Sequence, residues 1–113
     1  MTYIGIDPGM SGAVAYIYKG DVFSIPFKER THKDISDILK NIRFLDDNFT
    51  AFAFIEKVHS FPGQGVSSTF KFGENYGFLQ ALLYAYDIPF DYVLPETWQK
   101  AMNCRSRGDK NVT

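Results

Sequence analysis

The sequence has very little cysteine and histidine: Cys104 stands alone, and there are only two histidines in 113 residues. A single cysteine cannot build a disulfide framework, and no Cys and His residues have the spacing of a zinc site. Long apolar runs are also missing, and Asp7 interrupts the N-terminal hydrophobic segment. These absences argue against a membrane span and a signal peptide, so we expect a protein of a reducing cytoplasm that is not exported.

The sequence also lacks a strong net charge, since the formal total is -1. Residues 100–110 nevertheless carry a local net charge of +3, and the remaining residues sum to -4. This asymmetry predicts either a basic end that meets phosphates beside an acidic body that holds cations, or a solvated tail; the charges alone do not decide. With 45% hydrophobic and 17% aromatic residues, the chain can bury one modest core, which predicts a single domain over residues 1–113.

The first 46 residues predict three short strands and one amphipathic helix. Residues 3–26 contain β-favouring runs separated by glycines, and Lys19 to Asp21 is typical of a hairpin turn. Thr31 and Asp34 have capping-box spacing, and the apolar residues that follow have a helical period ending near Asp46.

The second half predicts a strand, a long helix, another strand and a short helix. Residues 51–56 are an apolar run that ends in a carboxylate, and a helix capped by Ser67 or Ser68 extends to about Tyr86. Residues 90–94 form the last strand, and Pro95 with Glu96 opens the short helix. Small residues recur along one face of the long helix at Gly73, Gly77, Ala81 and Ala85. Packing of this stripe against the sheet is the first interpretation, and a helix pair across a dimer interface is the alternative.

The order of three strands, helix, strand, helix, strand, helix predicts an α/β fold with a mixed sheet. Right-handed crossover places the fourth strand parallel to the first. Strand alternation puts Asp7 at the end of the first strand and Glu56 at the end of the fourth. If these strands are neighbours, the carboxylates converge at a spacing suited to a shared Mg²⁺. A turn at Asp7 and a surface position for Glu56 are the alternatives, and the pairing of the two favours a site.

Three blocks of the sequence resemble the RuvC-like Holliday junction resolvases, especially the compact form encoded by bacteriophages. The blocks are IGIDPGMSGAVA at 4–15, FIEKVHSFPGQGVSSTFKFGENYGFLQALL at 54–83 and VLPETWQKAM at 93–102. The resemblance implies a ribonuclease H-like mixed five-stranded sheet of order 3-2-1-4-5 with helices on its faces. It also implies a homodimer that cuts four-way or branched DNA with two Mg²⁺ ions, or Mn²⁺ as a substitute, in the cytoplasm of the host cell.

The resemblance assigns Asp7 and Glu56 as the first two catalytic and metal-binding carboxylates. The family takes further acidic ligands from a C-terminal helix, and nothing after Met102 matches that helix. We therefore expect the domain to be incomplete, and residues 1–113 to cleave DNA weakly or not at all, because two-metal hydrolysis needs both ions held.

The loop that follows Glu56 supplies candidate DNA contacts. Phe61 is the aromatic residue that the family resemblance suggests for opening the junction centre, with His59 as the second choice. Lys57, Lys71 and Lys110 are candidate phosphate contacts, and solvated positions are the alternative for each.

Two other functions fit parts of the sequence. One is a DNA-binding or dimerisation module that derives from a resolvase and lacks its catalytic helix. The other is a phosphate-binding ATPase of the actin and sugar-kinase type, whose first strand also precedes an Asp-Gly-rich turn, but that fold needs a second domain.

Overall fold

A computed structural model of the chain describes residues 1–9, 11–58 and 65–94. These residues form five strands and two helices in the predicted order: β1 Thr2–Asp7, β2 Ala13–Tyr18, β3 Asp21–Pro26, α1 His32–Arg43, β4 Ala51–Glu56, α2 Val66–Ala85 and β5 Phe90–Val93. The expected short helix at Pro95 and Glu96 lies outside the described residues. Neither helix in the described part combines the length and hydrophobicity that a bilayer span requires.

The strands form one mixed sheet of order β3-β2-β1-β4-β5. The β1, β2 and β3 strands pair antiparallel, whereas β4 lies parallel to β1 and β5 parallel to β4. The β2–β3 hairpin turns at Lys19 and Gly20, whose φ angles of 50° and 82° are both positive, as a two-residue turn of type I′ requires. The predicted meander and parallel crossover are therefore confirmed.

The core lies between one face of the sheet and the two helices. Ile4, Ile6 and Ile55 project from the sheet into a cluster with Leu39 of α1 and Leu83 of α2. The opposite face carries the alternate residues of each strand and is more open: Tyr3 is 48% exposed and Phe54 37%. Strand alternation thus sends the long aliphatic side chains to the helices and leaves the other face for Asp7 and its neighbours.

Local signals define α1 well. Thr31 is the N-cap, and the predicted capping box is present: Asp34 N–H donates to Thr31 Oγ1 at 3.1 Å, and Thr31 N–H donates to Asp34 Oδ2 at 3.0 Å. These bonds hold the pKa of Asp34 below its ordinary value. The helix ends at Arg43 with Phe44 as C-cap, so the expected end near Asp46 was a few residues too far along.

Two predictions for α2 are wrong. The N-cap is Gly65, without a side-chain cap, rather than Ser67 or Ser68, because the helix already begins at Val66 and both serines lie within its first turn. Gly73, Gly77, Ala81 and Ala85 face solvent instead of the sheet. The buried side of α2 is formed by Leu79, Leu82 and Leu83, whose larger side chains fill the space above the sheet.

Candidate functional site

Two acidic side chains lie at the carboxyl ends of the two central parallel strands. The register pairs Ile6 with Ile55, so Asp7 and Glu56 are the next residues on β1 and β4. Adjacent strands are about 4.8 Å apart, and the two side chains project from the same face of the sheet. We call this pair the strand-end site, and the sequence prediction that the two carboxylates converge is consistent with this register.

The electrostatics of Glu56 show that the two carboxylates affect each other. Its side chain is half-buried, and burial, followed by the negative charge of Asp7, raises the pKa of Glu56 above its ordinary value. Both effects disfavour the ionised form. A divalent cation between the two groups would reverse this balance, because it would screen their repulsion and replace the lost solvation with oxygen coordination.

The turn after β1 fixes the position of Asp7. Gly9 N–H donates to Asp7 Oδ1 at 3.2 Å, which closes an Asx turn. Gly12 N–H donates to Gly9 O at 2.9 Å, and Gly12 O accepts from Phe27 N–H at 3.0 Å. A β-carbon at Gly12 would lie 2.0 Å from Asp7 O, so only glycine lets the chain fold back so closely behind the carboxylate.

Two α2 residues connect the helix to the site, and the sequence analysis missed both. Asn75 Nδ2 donates to Pro8 O at 2.9 Å, and this hydrogen bond links α2 to the turn directly after Asp7. Burial raises the pKa of Tyr76, and a backbone hydrogen bond with Val58 lowers it in part. The nearby Tyr92 and, to a smaller extent, Glu56 raise the pKa further. The helix thus contacts the turn after β1 through Asn75 and lies near the loop after β4 through Tyr76.

The sequence contains one weak indication that Asn75 and Tyr76 lie near the site. They are adjacent polar positions on the side of α2 opposite the small-residue stripe, which is the side that the structure turns towards the sheet. The interpretation that the small-residue stripe packs against the sheet would place Asn75 and Tyr76 on the solvent side, so it gave no reason to single them out.

The candidate DNA contacts are only partly described. Lys57 directly follows Glu56 and is exposed, with its backbone N–H donating to Val93 O at 2.7 Å. Lys71 is an exposed residue of α2. His59, Phe61 and Lys110 lie outside the described residues.

The donor set fits a hard cation but is small. Carboxylate oxygens are the ligands that Mg²⁺ and Mn²⁺ take in proteins. Across residues 1–9, 11–58 and 65–94, no group of three or more His, Cys, Asp or Glu side chains comes together. The strand-end site therefore offers two carboxylates, enough to anchor one ion together with water and substrate oxygens.

No family model and no curated protein matches the chain. Among solved structures, it is similar to Thermus thermophilus RuvC in complex with a Holliday junction substrate, with a TM-score of 0.61 and 13% identity over 90% of this chain and 69% of that one. It is also similar to YeaZ from Pseudomonas aeruginosa, with a TM-score of 0.54 and 16% identity over 97% of this chain and 49% of that one. The chain has the ribonuclease H-like fold.

The ribonuclease H-like fold gives the strand-end site its place at the carboxyl edge of the central strands, where open α/β sheets collect their ligands. Fold does not fix function, and the two similar structures carry different names. The chain spans about half the length of YeaZ. The function therefore has to be argued from the residues of the site.

Proposed function

We propose that this chain is the nuclease domain of a structure-selective endodeoxyribonuclease that resolves four-way or branched DNA junctions. The observation that carries the proposal is the convergence of Asp7 and Glu56 at adjacent strand ends, where burial and then the charge of Asp7 raise the pKa of Glu56. Two carboxylates that repel each other at a strand edge are suited to a divalent cation. The similarity to RuvC in complex with a Holliday junction substrate supports DNA junctions as the substrate class.

Asp7 and Glu56 would hold Mg²⁺, with Mn²⁺ as a substitute. In two-metal hydrolysis, bound ions ready a water for attack and stabilise the leaving oxygen of the phosphodiester. The protein's own part includes orienting the Asp7 carboxylate: Gly9 N–H donates to Asp7 Oδ1, and Asn75 donates to Pro8 O in the turn directly after it. Ligands beyond these two carboxylates would come from outside the described residues.

The three sequence blocks support a RuvC-like enzyme of the compact bacteriophage type, acting as a homodimer in the host cytoplasm. Two active sites related by a two-fold axis suit a junction whose opposed strands are related in the same way. Lys57 and Lys71 are exposed and would contact phosphates. Phe61, His59 and Lys110 would add the aromatic and basic contacts that their residue types allow.

Cation binding tests the strand-end site directly. Mg²⁺ or Mn²⁺ at ten times its dissociation constant should stabilise the wild-type chain by about 1.4 kcal/mol, measured as a rise in melting temperature over a sample with chelator. Asp7→Asn and Glu56→Gln should each lose most of this rise. Asp21→Asn is the matched control, because Asp21 is an exposed carboxylate at the opposite end of the sheet. An equal rise in all four proteins would refute the site.

Junction binding and cleavage test the activity. The chain should retard a labelled four-way junction more strongly than a linear duplex of the same length, and Asp7→Asn should keep this binding because phosphate contacts do not require that charge. Any divalent-dependent nicking should disappear in Asp7→Asn and persist in Asp21→Asn. Loss of junction binding in a folded Asp7→Asn protein would count against the assignment.

A second candidate is a DNA-binding or dimerisation module without catalysis. It is favoured by the small ligand set, since the described part of the chain contributes only Asp7 and Glu56. This module would bind four-way junctions but would not nick them at any concentration of Mg²⁺ or Mn²⁺. Junction nicking that depends on Asp7 excludes it.

A further inference from the structure

A cleft lies between the carboxyl end of α2 and the start of β5. Its volume of about 510 Å³ falls within the range of about 300–1,000 Å³ that is usual for ligand-binding pockets. Three aromatic side chains and one carboxylate line it, and we call this group the β5 cleft: Tyr84, Asp87, Phe90 and Tyr92. The cleft is separate from the strand-end site, because Phe90 lies three residues, about 10 Å, from Val93, which pairs with Glu56.

The aromatic side chains of the β5 cleft are held in place by contacts within the fold. The rings of Tyr84 and Phe90 meet edge to face with centroids 5.2 Å apart, and the rings of Phe90 and Tyr92 do the same at 5.6 Å. Tyr92 Oη also donates to Gln80 Oε1 at 2.6 Å, which links this ring to α2. Side chains that are already fixed lose little conformational freedom when a ligand binds.

Core packing accounts for only one of the three rings. Phe90 packs against the core, whereas Tyr84 and Tyr92 lie outside the core cluster and are 69% and 44% exposed. Tyrosine rings that present an apolar body and a polar hydroxyl at the surface are typical of recognition sites. This arrangement favours a ligand from outside the described fold.

Asp87 restricts the chemistry of that ligand. Its carboxylate is exposed, and within the described part of the chain no Lys or Arg forms an ion pair with it. An apolar ligand would cover this charge without pairing it, which costs free energy, and a DNA strand would bring phosphates against it. A cation, by contrast, is attracted by the carboxylate, by the faces of the aromatic rings and by the carboxyl end of the α2 dipole.

The backbone of β5 offers hydrogen-bond acceptors beside the cleft. β5 is an edge strand with β4 on one side, and Pro89 O and Val93 O accept hydrogen bonds from that side at 2.9 and 2.7 Å. Because carbonyl groups alternate in direction along a strand, those of Phe90 and Tyr92 point to the free side. An extended peptide that adds to this edge places alternate side chains on the same face as Phe90 and Tyr92, over the cleft.

We propose that the β5 cleft binds an arginine side chain of a partner polypeptide whose extended backbone adds to the free edge of β5. The planar guanidinium stacks on an aromatic ring and pairs with the Asp87 carboxylate, whereas the compact ammonium group of lysine cannot stack in this way. Backbone N–H groups of the peptide donate to Phe90 O and Tyr92 O. This site goes beyond the proposed function and does not depend on it, since neither Asp7 nor Glu56 takes part.

A short peptide tests the class of ligand. The probe is an acetylated and amidated five-residue peptide in which threonine and arginine alternate, titrated into the isotope-labelled full chain with chelator and without DNA. Amide NMR signals should shift and saturate mainly over residues 84–94. The same peptide with citrulline in place of arginine keeps the shape but is neutral, and it should bind about tenfold more weakly because the charged hydrogen bonds and the cation–π contact are lost.

Matched variants test the place. Tyr84→Ala removes an exposed ring, and Asp87→Asn removes the charge while asparagine still tolerates the positive φ of 54° at this position. Each should weaken binding of the arginine peptide about fivefold. Phe23→Ala and Asp21→Asn remove an exposed ring and a carboxylate from β3, the opposite edge strand, and should leave binding unchanged. Circular dichroism checks that all four variants are folded.

Several outcomes would overturn the proposal. Equal binding of the arginine and citrulline peptides, or no saturable binding of either, would exclude a cation as the ligand. Equal losses in the β3 variants would exclude the β5 cleft as the place. Saturable binding of a single-stranded thymidine oligonucleotide that requires Tyr84 would assign the cleft to DNA instead. Because the peptide measurements use neither DNA nor divalent cations, a protein that is inactive on junctions would leave their result unaffected.

Discussion

Replacing Gly12 with alanine is the most direct test of how the fold supports Asp7. The added β-carbon would lie 2.0 Å from Asp7 O, 2.8 Å from Gly9 O and 2.9 Å from the carbonyl carbon of Asp7. All three are backbone atoms, so no side chain can rotate away, and β1 or the turn has to move. Overpacking of this kind typically costs 1–3 kcal/mol, and we expect the upper end, about 3 kcal/mol.

The displacement would also disturb two hydrogen bonds. Gly12 donates to Gly9 O and accepts from Phe27 N–H, so movement of Gly12 strains both the Asx-turn segment and the link to the chain after β3. For a domain whose total stability is about 5–15 kcal/mol, a loss of 3 kcal/mol should lower the melting temperature by about 10 °C. The stabilisation by Mg²⁺ should fall as well, because Asp7 moves with the backbone.

The assay is urea unfolding followed by circular dichroism, with two other glycines as matched controls. A β-carbon at Gly9 would be 3.5 Å from Asp7 Oδ1, an ordinary contact, so Gly9→Ala should change stability little. Gly73→Ala places a methyl group in open space on a helix and should stabilise the chain by up to about 1 kcal/mol. If Gly12→Ala costs less than about 1 kcal/mol, or no more than Gly9→Ala, the reasoning about this turn is refuted.

Three further predictions concern single contacts. Asn75→Ala removes the hydrogen bond to Pro8 O and should cost about 1 kcal/mol in urea unfolding and weaken Mg²⁺ binding. Glu56→Gln should remove a pH dependence of the free energy of unfolding, measured with chelator. Because the pKa of Glu56 is raised in the folded state, the folded wild type binds a proton more tightly than the unfolded chain does. The stability of the wild type therefore falls as the pH rises from the ordinary glutamate range through the raised pKa. Thr31→Ala should lower the free energy of unfolding by about 1 kcal/mol at neutral pH. The stability that comes from the lowered pKa of Asp34 is present when the pH is above the ordinary aspartate pKa, and it is lost as the pH falls through the lowered pKa.

Each of these predictions has a contrary outcome. Asn41→Ala changes an exposed asparagine of α1, and an equal loss of Mg²⁺ binding in it and in Asn75→Ala would remove the special role of Asn75. Parallel stability curves for Glu56→Gln and the wild type between acid and neutral pH would contradict the raised pKa of Glu56 that burial and the charge of Asp7 cause. Unchanged unfolding of Thr31→Ala would mean that the capping box adds nothing to α1.

Most strands and the start of α1 could be predicted from the sequence because their signals are local. The apolar run in 51–56 predicts β4, and the alternation of side chains along a strand then predicts which of them share a face with Glu56. Thr31 and Asp34 mark the start of α1 through hydrogen bonds between residues three apart. The parallel placement of β1 and β4 was predicted from the right-handedness of crossover connections. If parallel strands are also neighbours, the residues at their carboxyl ends converge, so Asp7 and Glu56 could be predicted as a pair.

The sequence alone did not determine how α2 sits on the sheet. This helix is apolar on both sides, so its periodicity does not predict which face is buried. The leucine face is buried in the structure because the space above Ile4, Ile55 and their neighbours needs larger side chains than glycine or alanine. Only this tertiary arrangement turned Asn75 and Tyr76 towards the strand-end site and Gly77 towards solvent. The sequence by itself determined the two carboxylates and the strands that carry them, because both follow from local patterns. The packing of α2 depends on contacts between residues far apart in the chain, and it decided which side chains support those carboxylates.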